Sequence, residues 1–426
     1  MTGIRTCVGW GNLSRVSGEG VDELPTGTTP LNALSSLTKR FGGAVTFSST
    51  ESRNAALEND LGLREPTTQT QGITQGSFTV GGYFSTECID WLAYAVHSDK
   101  VEITSASVFI TKADSTEYQV SIASGTAGQI EDSEGAILNP QPSLSTVGYV
   151  KTGTTTSTLP ITLGVFANYI VAINGGAMVV DVFGYKHLDT AKSFDIGQFQ
   201  INSTAADGNG GNNMICVYTG CYIDTMSLQY ENGGDAAVQF SINGYYLRKF
   251  YQVSSTVTDY ANIIDDPPSK VLITGCMLKS DDSYTYNQIA YTDSSELDIS
   301  NNLQAVPACG KITYGTYALA NVSYDVKTQT YSVNPNNYIA ALTGYESFSE
   351  STVYTDTKNP YVIPFLKIRS QDTDTGTAPT EFLDINLTDT ISGSMDFSYD
   401  VGQTIMDSPD LTTKRAYIAV GYTPAS

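Results

Sequence analysis

Positive charge is scarce in this chain. Its 426 residues include 22 Lys and Arg against 44 Asp and Glu, a formal net charge of −22. Basic residues never run longer than two, as in Lys39-Arg40, Arg248-Lys249 and Lys414-Arg415. Tight nucleic-acid binding needs a basic footprint on the phosphates, and none is present. Only two histidines occur, His97 and His187, and neither sits in a catalytic motif. The G-x-S-x-G, H-E-x-x-H and P-loop patterns are absent, so no enzyme class is indicated. The six cysteines (Cys7, Cys88, Cys216, Cys221, Cys276 and Cys309) are too scattered for a disulfide framework and read as reduced, mostly buried thiols.

Long apolar runs are missing as well. No stretch of about twenty apolar residues exists, so no membrane-spanning helix is expected. The first residues, MTGIRTCVGWGNLSRVSGEG, lack the apolar core of a signal peptide, which predicts synthesis in a cytoplasm. Metal ligation has little support: Cys216 and Cys221 lack zinc spacing. The loops Asp207–Asn212 and Asp372–Gly376 place oxygens at alternate positions as calcium loops do, but turn-forming residues alone explain both. The acid pairs Asp265-Asp266, Asp281-Asp282 and Asp372/Asp374 read as solvated loops. No cofactor or metal is expected.

What the chain does contain is strand chemistry. Thr, Ser, Gly, Asn and Tyr dominate, helix formers are sparse, and 15% of residues are charged, a texture that favours an all-β fold. Its clearest element is 221–247, two strands joined by Asn232-Gly233-Gly234-Asp235. Met226, Leu228 and Tyr230 share one face of the first strand, opposite Thr225, Ser227 and Gln229. Val238, Phe240 and Ile242 do the same on the second, opposite Gln239, Ser241 and Asn243. Period-two alternation on both arms of a glycine-rich turn is a hairpin signal. The polar face holds small uncharged groups and no Lys or Arg, a wet surface that grips nothing.

Around this hairpin the chain divides into three parts. Residues 1–72 are weakly patterned, with a short helix expected over Leu31–Arg40 and a linker-like run at Glu65–Gly72; they form either a meander on their own domain or an arm reaching a neighbour. Residues 73–100 and 165–426 form the main β unit. Ile73–Phe84 reads as a strand, and Ser85–Ser98 as a helix with Ile89, Leu92, Ala93 and Val96 in one core stripe. Residues 101–164 read as a Thr/Ser-rich β insertion or small outer subdomain. Phe166–Val182 reads as strand around a turn at Asn174-Gly175-Gly176. A second hairpin-like region spans Lys311–Thr357, with Ala320, Val322, Tyr324 and Val326 alternating against polar residues, a break at Asn334–Asn337, a helical turn at Tyr338–Leu342 and a further strand over Ser347–Thr355. Three more strands are expected between Phe382 and Tyr422. The 27 tyrosines suit β-strands with polar tips and also subunit contacts.

The run Gly220–Leu228, then Glu231–Gly234, then Ala237–Gly244, resembles the central hairpin of the tail tube proteins of tailed bacteriophages and tailed archaeal viruses. Ala318–Val333 followed by Ile339–Phe348 resembles a second element of that family, and the Ser85–Ser98 helix sits where such proteins place a packing helix. The resemblance covers 73–100 and 165–422 and leaves 1–70 and 101–164 unexplained. It implies an all-β fold with one packed helix, a β-sandwich whose long hairpins join a ring-spanning inner β-barrel. It further implies hexameric rings of this chain stacked into a hollow tube of the virion. Implied partners are the tape measure, tail terminator and baseplate proteins, with DNA passing only transiently through the lumen and no membrane involved. Thr225, Ser227, Gln229, Gln239, Ser241 and Asn243 are then expected to face the lumen. Met226, Leu228, Tyr230, Val238, Phe240 and Ile242, with Ile89, Leu92 and Val96, are expected to pack the core. Competing expectations are a capsid or decoration β protein, a glycan-binding surface module, and, last, an enzyme.

Overall fold

The computed structural model describes residues 5–58, 68–104, 109–173, 178–184, 191–201, 213–231, 237–254, 276–280, 286–309, 311, 313–331, 349, 351–354, 362–372, 381–398 and 406–423. The strands in chain order are β1 (Arg5–Gly11), β2 (Gly43–Glu58), β3 (Thr68–Tyr83), β4 (Lys100–Ile103), β5 (Phe109–Thr111), β6 (Glu117–Val120), β7 (Ile130–Asp132), β8 (Val147–Thr152), β9 (Thr155–Thr162), β10 (Val179–Gly184) and β11 (Phe194–Ile201). They continue with β12 (Asn213–Glu231), β13 (Gln239–Ser254), β14 (Cys276–Ser280), β15 (Tyr286–Ser300), β16 (Gln304–Pro307), β17 (Tyr314–Ala318), β18 (Ser323–Tyr331), β19 (Ile363–Gln371), β20 (Phe382–Ser398), β21 (Met406–Thr412) and β22 (Arg415–Tyr422). Among the described residues three short α-helices accompany them: α1 (Pro30–Leu34), α2 (Leu92–Ala95) and α3 (Leu163–Ile173). The fold is mostly β with large antiparallel sheets, and no helix among the described residues is long and apolar enough to cross a membrane.

Three layers follow from which side chains meet. The front sheet runs β2-β3-β13-β12-β15-β18, with β11 and β1 added beside the N-terminal half of β12. Its apolar face meets Leu366, Ile368, Leu383, Ile385, Leu387, Ile418 and Val420 of a central sheet, β14-β19-β20-β22-β10-β4. The other face of that central sheet (Val180, Val182, Phe365, Phe382, Tyr417 and Ala419) packs on α3 and on an outer sheet ordered β7-β6-β5-β8-β9. Burial on both faces explains why β22 is continuously buried from Ala416 to Gly421 rather than alternating. Front and central sheets also join at one side, because the pairings β15–β18–β21–β20–β19–β14 return to β15.

Two buried ionic clusters tie the layers. Asp195 on β11 accepts from the Leu13 and Gly220 N–H groups, at 3.0 and 3.1 Å, and from both terminal nitrogens of Arg15, at 3.1 and 2.7 Å. That carboxylate holds residues 13–15 against the β11–β12 pair. Between α3 and the central sheet, Asp384 accepts two bonds from Arg369, at 2.8 and 2.7 Å, and one from the Tyr169 hydroxyl at 2.8 Å. Lys367 Nζ donates to Asn168 Oδ1 at 3.0 Å.

Several local expectations are corrected. Ser85–Ser98 is not one helix: a 3-10 turn over Thr86–Trp91, kinked at Cys88, precedes the single turn of α2. A helix this short gains nothing from cooperative propagation, so its shape follows the packing of Ile89, Trp91, Leu92 and Val96, all buried. Residues 166–173, expected as strand, lie in α3. An apolar run buried on nearly every side carries no period to tell helix from strand. Where described, the expected strand over Ser347–Thr355 is not formed: residues 349 and 351–354 carry no strand pairing, and Thr352 N–H bonds to the Ser349 C=O at 3.2 Å. The Leu31–Arg40 helix is shorter, starting at Pro30 behind a Thr29 cap, and the strands around Leu383 and Met395 are one, β20. Residues 1–72, offered as meander or arm, supply β1, β2 and the start of β3. The turns at 174–177 and 232–236, the 334–342 break and helical turn, His187, the 207–212 loop, most of the 372–376 loop, and the 265–266 and 281–282 acid pairs lie outside the described residues.

Arg15→Ala would strand the Asp195 carboxylate inside the protein, an expected loss of about 3–5 kcal/mol in urea unfolding. Arg15→Lys should recover only part, since an ammonium cannot reproduce the two-pronged bond.

Candidate functional site

The front sheet's outer face is the surface on which the sequence-predicted residues converge. β12 and β13 pair Thr225 with Asn243, Ser227 with Ser241 and Gln229 with Gln239. β3 and β2 extend these rows on one side and β15 and β18 on the other. One row reads Thr46–Gly81–Ser241–Ser227–Asp298–Asp325, the next Ser48–Thr79–Asn243–Thr225–Ser300–Ser323. A third reads Tyr83–Gln239–Gln229–Glu296–Lys327–Asp410. The interleaved rows on the reverse face are apolar, for example Phe47–Val80–Ile242–Met226–Ile299–Tyr324. Period-two geometry turns matched alternation on six strands into one continuous polar face and one continuous core face.

Burial agrees with the two faces. Met226, Leu228, Val238, Phe240 and Ile242 are buried, as are Ile89, Leu92 and Val96. Gln229, Gln239 and Asn243 are exposed, while Thr225, Ser227 and Ser241 are half-buried. The Tyr230 backbone pairs with Ser295, but its side chain lies outside the described residues. Phe240 lies 5.0 Å from the Trp91 ring, and Gly42 and Gly82 leave it room, since a Cβ at either would come within 2.8 and 3.3 Å of its ring edge.

The polar side chains are satisfied mostly by one another. Thr79 Oγ1 donates to Asn243 Oδ1 at 2.9 Å, and Asn243 Nδ2 donates to Thr225 Oγ1 at 3.1 Å. Ser227 donates to Glu296 at 3.2 Å, and the Gln229 amide donates to the same carboxylate oxygen. The β2–β12 part of the face is neutral in these rows, while β15 and β18 add Glu296, Asp298 and Asp325 with the single cation Lys327. Burial holds the Asp298 carboxyl above its ordinary range; Glu296 and Asp325 push the same way, and Ser227 and Lys327 oppose them.

Sequence reasoning missed how this face ends. A bulge between Ile223 and Thr225 shifts the phase of β12, so apolar positions change from odd (Cys221, Ile223) to even (Met226, Leu228). That phase change was visible in the sequence. Beyond the bulge, Tyr222 and Tyr245 carry the face into an aromatic cluster under β17, with Tyr245 stacked on Tyr317 at 5.1 Å. The bulge is pinned from behind. The Ile223 carbonyl accepts from Asn301 Nδ2 at 3.1 Å and from His97 Nε2 at 2.9 Å, while His97 Nδ1 accepts from the Lys192 N–H at 3.0 Å.

His97 is therefore a structural group, and burial lowers its pKa to about 4. Cys7, Cys216 and Cys221 are buried, and burial pushes the Cys88 thiol up to about 11. Among the described residues no three His, Cys, Asp or Glu side chains cluster to hold a metal. The arrangement offers a broad hydroxyl- and amide-covered sheet face.

Phe240→Ala should cost roughly 3–5 kcal/mol in denaturant unfolding, whereas Ser241→Ala should stay within about 0.5 kcal/mol. His97 gives a pH signature. Its folded pKa of about 4 lies below the ordinary 6.5, so the unfolded chain binds the proton first and stability falls as pH drops from 6.5 toward 4. The expected loss over that window is about 3 kcal/mol; His97→Gln should flatten this part of the pH–stability curve. No protein-family model and no curated protein matches the chain.

Proposed function

We propose that this chain is a structural virion protein of the tail tube kind, self-assembling into stacked rings whose channel is lined by the polar face of the front sheet. The observation that carries this reading is the set of register-aligned polar rows across six strands, with Lys327 their only cation, placed opposite Glu296. A channel for DNA must hold phosphates weakly. Affinity for a polyanion scales with the number of cations that displace its counterions, and a surface of hydroxyls, amides and excess carboxylate offers almost none. Charge over the whole chain points the same way: a ring of six would carry six times −22, screened beyond ~8–10 Å in physiological salt.

The second support is mechanical. The central sheet is buried on both faces and locked to α3 by the Asp384–Arg369–Tyr169 cluster, which gives the front sheet a rigid backing. Partners on this reading are further copies of the chain in rings, commonly six, the tape measure protein during assembly, the terminator and baseplate at the ends, and DNA in transit.

Negative-stain electron microscopy of the purified protein should show hollow rings or tubes. Closed shells or isolated trimers would instead favour a capsid or decoration role and overturn the tube. Ser241→Lys tubes should retain DNA at 0.15 M salt where unmodified tubes release it, with retention falling steeply as salt rises. Equal behaviour of the two would mean that this face does not line the channel.

A further inference from the structure

The front sheet is curled, and its two end strands nearly meet. Phe47 of β2 touches Tyr218 of β12, three strands away, at 5.3 Å between ring centroids, and Ser49 Oγ lies 2.9 Å from the Tyr218 hydroxyl. β11 and β1 curl in from the other side of β12. Among the described residues β1 is joined toward β2 at Trp10: Trp10 and Lys39 exchange backbone bonds at 2.9 and 3.0 Å, and Trp10 Nε1 donates to the Arg40 carbonyl at 2.9 Å. Beyond it the two strands diverge around a cleft of about 490 Å³, lined by Thr6 and Val8 of β1, by Gly43 to Phe47 of β2, and by Gln198 and Gln200 at its back.

Part of the β1 backbone faces this cleft. In a strand, alternate residues direct both N–H and C=O to the same side. Trp10 sends both groups to Lys39, away from β11, so Val8 and Thr6 send theirs into the cleft. Among the described residues neither has a backbone partner there. On the opposite wall β2 pairs only with β3 among the described strands. From Gly43 to Thr50 it carries no charge and no proline, two devices by which natural edge strands avoid pairing with other chains. A bulge at its start, where Ala44 takes φ 49°, turns the strand away from the Lys39 link and opens the cleft mouth.

We propose that this cleft receives an extended segment of a second copy of the chain, inserted as a strand between β1 and β2 and hydrogen-bonded to both. The occupant is polypeptide because the facing groups are two rows of backbone donors and acceptors. It is another copy because the one charged residue lining the cleft is Arg40, which suits an acidic chain with 44 carboxylates against 22 cations, and because an unguarded edge is tolerable only where assembly covers it. The proposal rests on the self-assembly proposed above and adds the joint by which copies are held.

Hydrogen–deuterium exchange on dilute protein and on purified particles tests it. In particles the cleft-facing amides, those of Thr6, Val8 and the alternate residues of 44–50 turned away from β3, should exchange roughly 100-fold more slowly than in the dilute protein. Thr6→Pro and Val8→Pro each remove a donor on the cleft side and none on the β11 side. They should leave unfolding by circular dichroism nearly unchanged and raise the concentration needed for assembly about tenfold, the worth of one hydrogen bond. Particles that form with these amides still exchanging fast, or that assemble equally well with either proline, would overturn the joint and leave the tube reading standing. Slow exchange already present in the dilute protein would also overturn it. Failure of the unmodified protein to form any particle would overturn both.

Discussion

A sheet whose side chains alternate with period two can bury one face only if every neighbouring strand keeps the same phase. A slip of one residue anywhere would carry a row of Met, Leu, Phe and Ile to solvent and a row of Thr, Ser and Asn into the core. Across β2, β3, β13, β12, β15 and β18 the phase is kept, and where β12 must change it, a bulge at Asp224 absorbs the extra residue. The bulge is held by His97 and Asn301 on the Ile223 carbonyl and by the Asp224 carboxylate, which accepts from the Leu303 N–H at 2.8 Å. The core, the polar face and the curl toward β1 all depend on that phase relation.

The layers behind the front sheet turn a two-faced surface into a stiff one. An antiparallel sheet with one wet face is stable when its dry face has a partner of matching area. Here the partner is itself buried on both sides, so deformation of the front sheet would have to disturb the second core around α3 as well. Four polar side chains inside that second core, Tyr169, Asn386, Asp384 and Arg369, form one connected set. Such clusters add little net stability over apolar packing, but they penalise misplacement strongly, because any displaced member leaves a charge or amide stranded. The result is a continuous polar outer face backed by two further packed layers.

The sequence by itself determined the all-β character and the 221–247 hairpin, because β-branched and aromatic residues at period two leave few alternatives and because both arms of the hairpin show the same alternation. It also fixed the chemistry of the polar face, since the absence of Lys and Arg at 225–229 and 239–243 does not depend on context. The Thr/Ser-rich stretch read as an insertion or small subdomain is where β5–β9 of the outer sheet lie.

Tertiary structure alone decided the rest. Residues 163–173 become helix because they fill the space between two sheets, where burial on nearly all sides erases the period that would have announced them. Residues 85–98 look like an amphipathic helix but are bent into a 3-10 turn and one α-turn, since Trp91 and Phe240 must meet across the core and so short a segment has no helical cooperativity to resist. β1 and β2, weakly patterned in sequence, gain their places from long-range pairing with β11 and β3. The cleft between them was invisible for the same reason: it consists of backbone direction and curl, which arise only when strands nearly two hundred residues apart are brought into register.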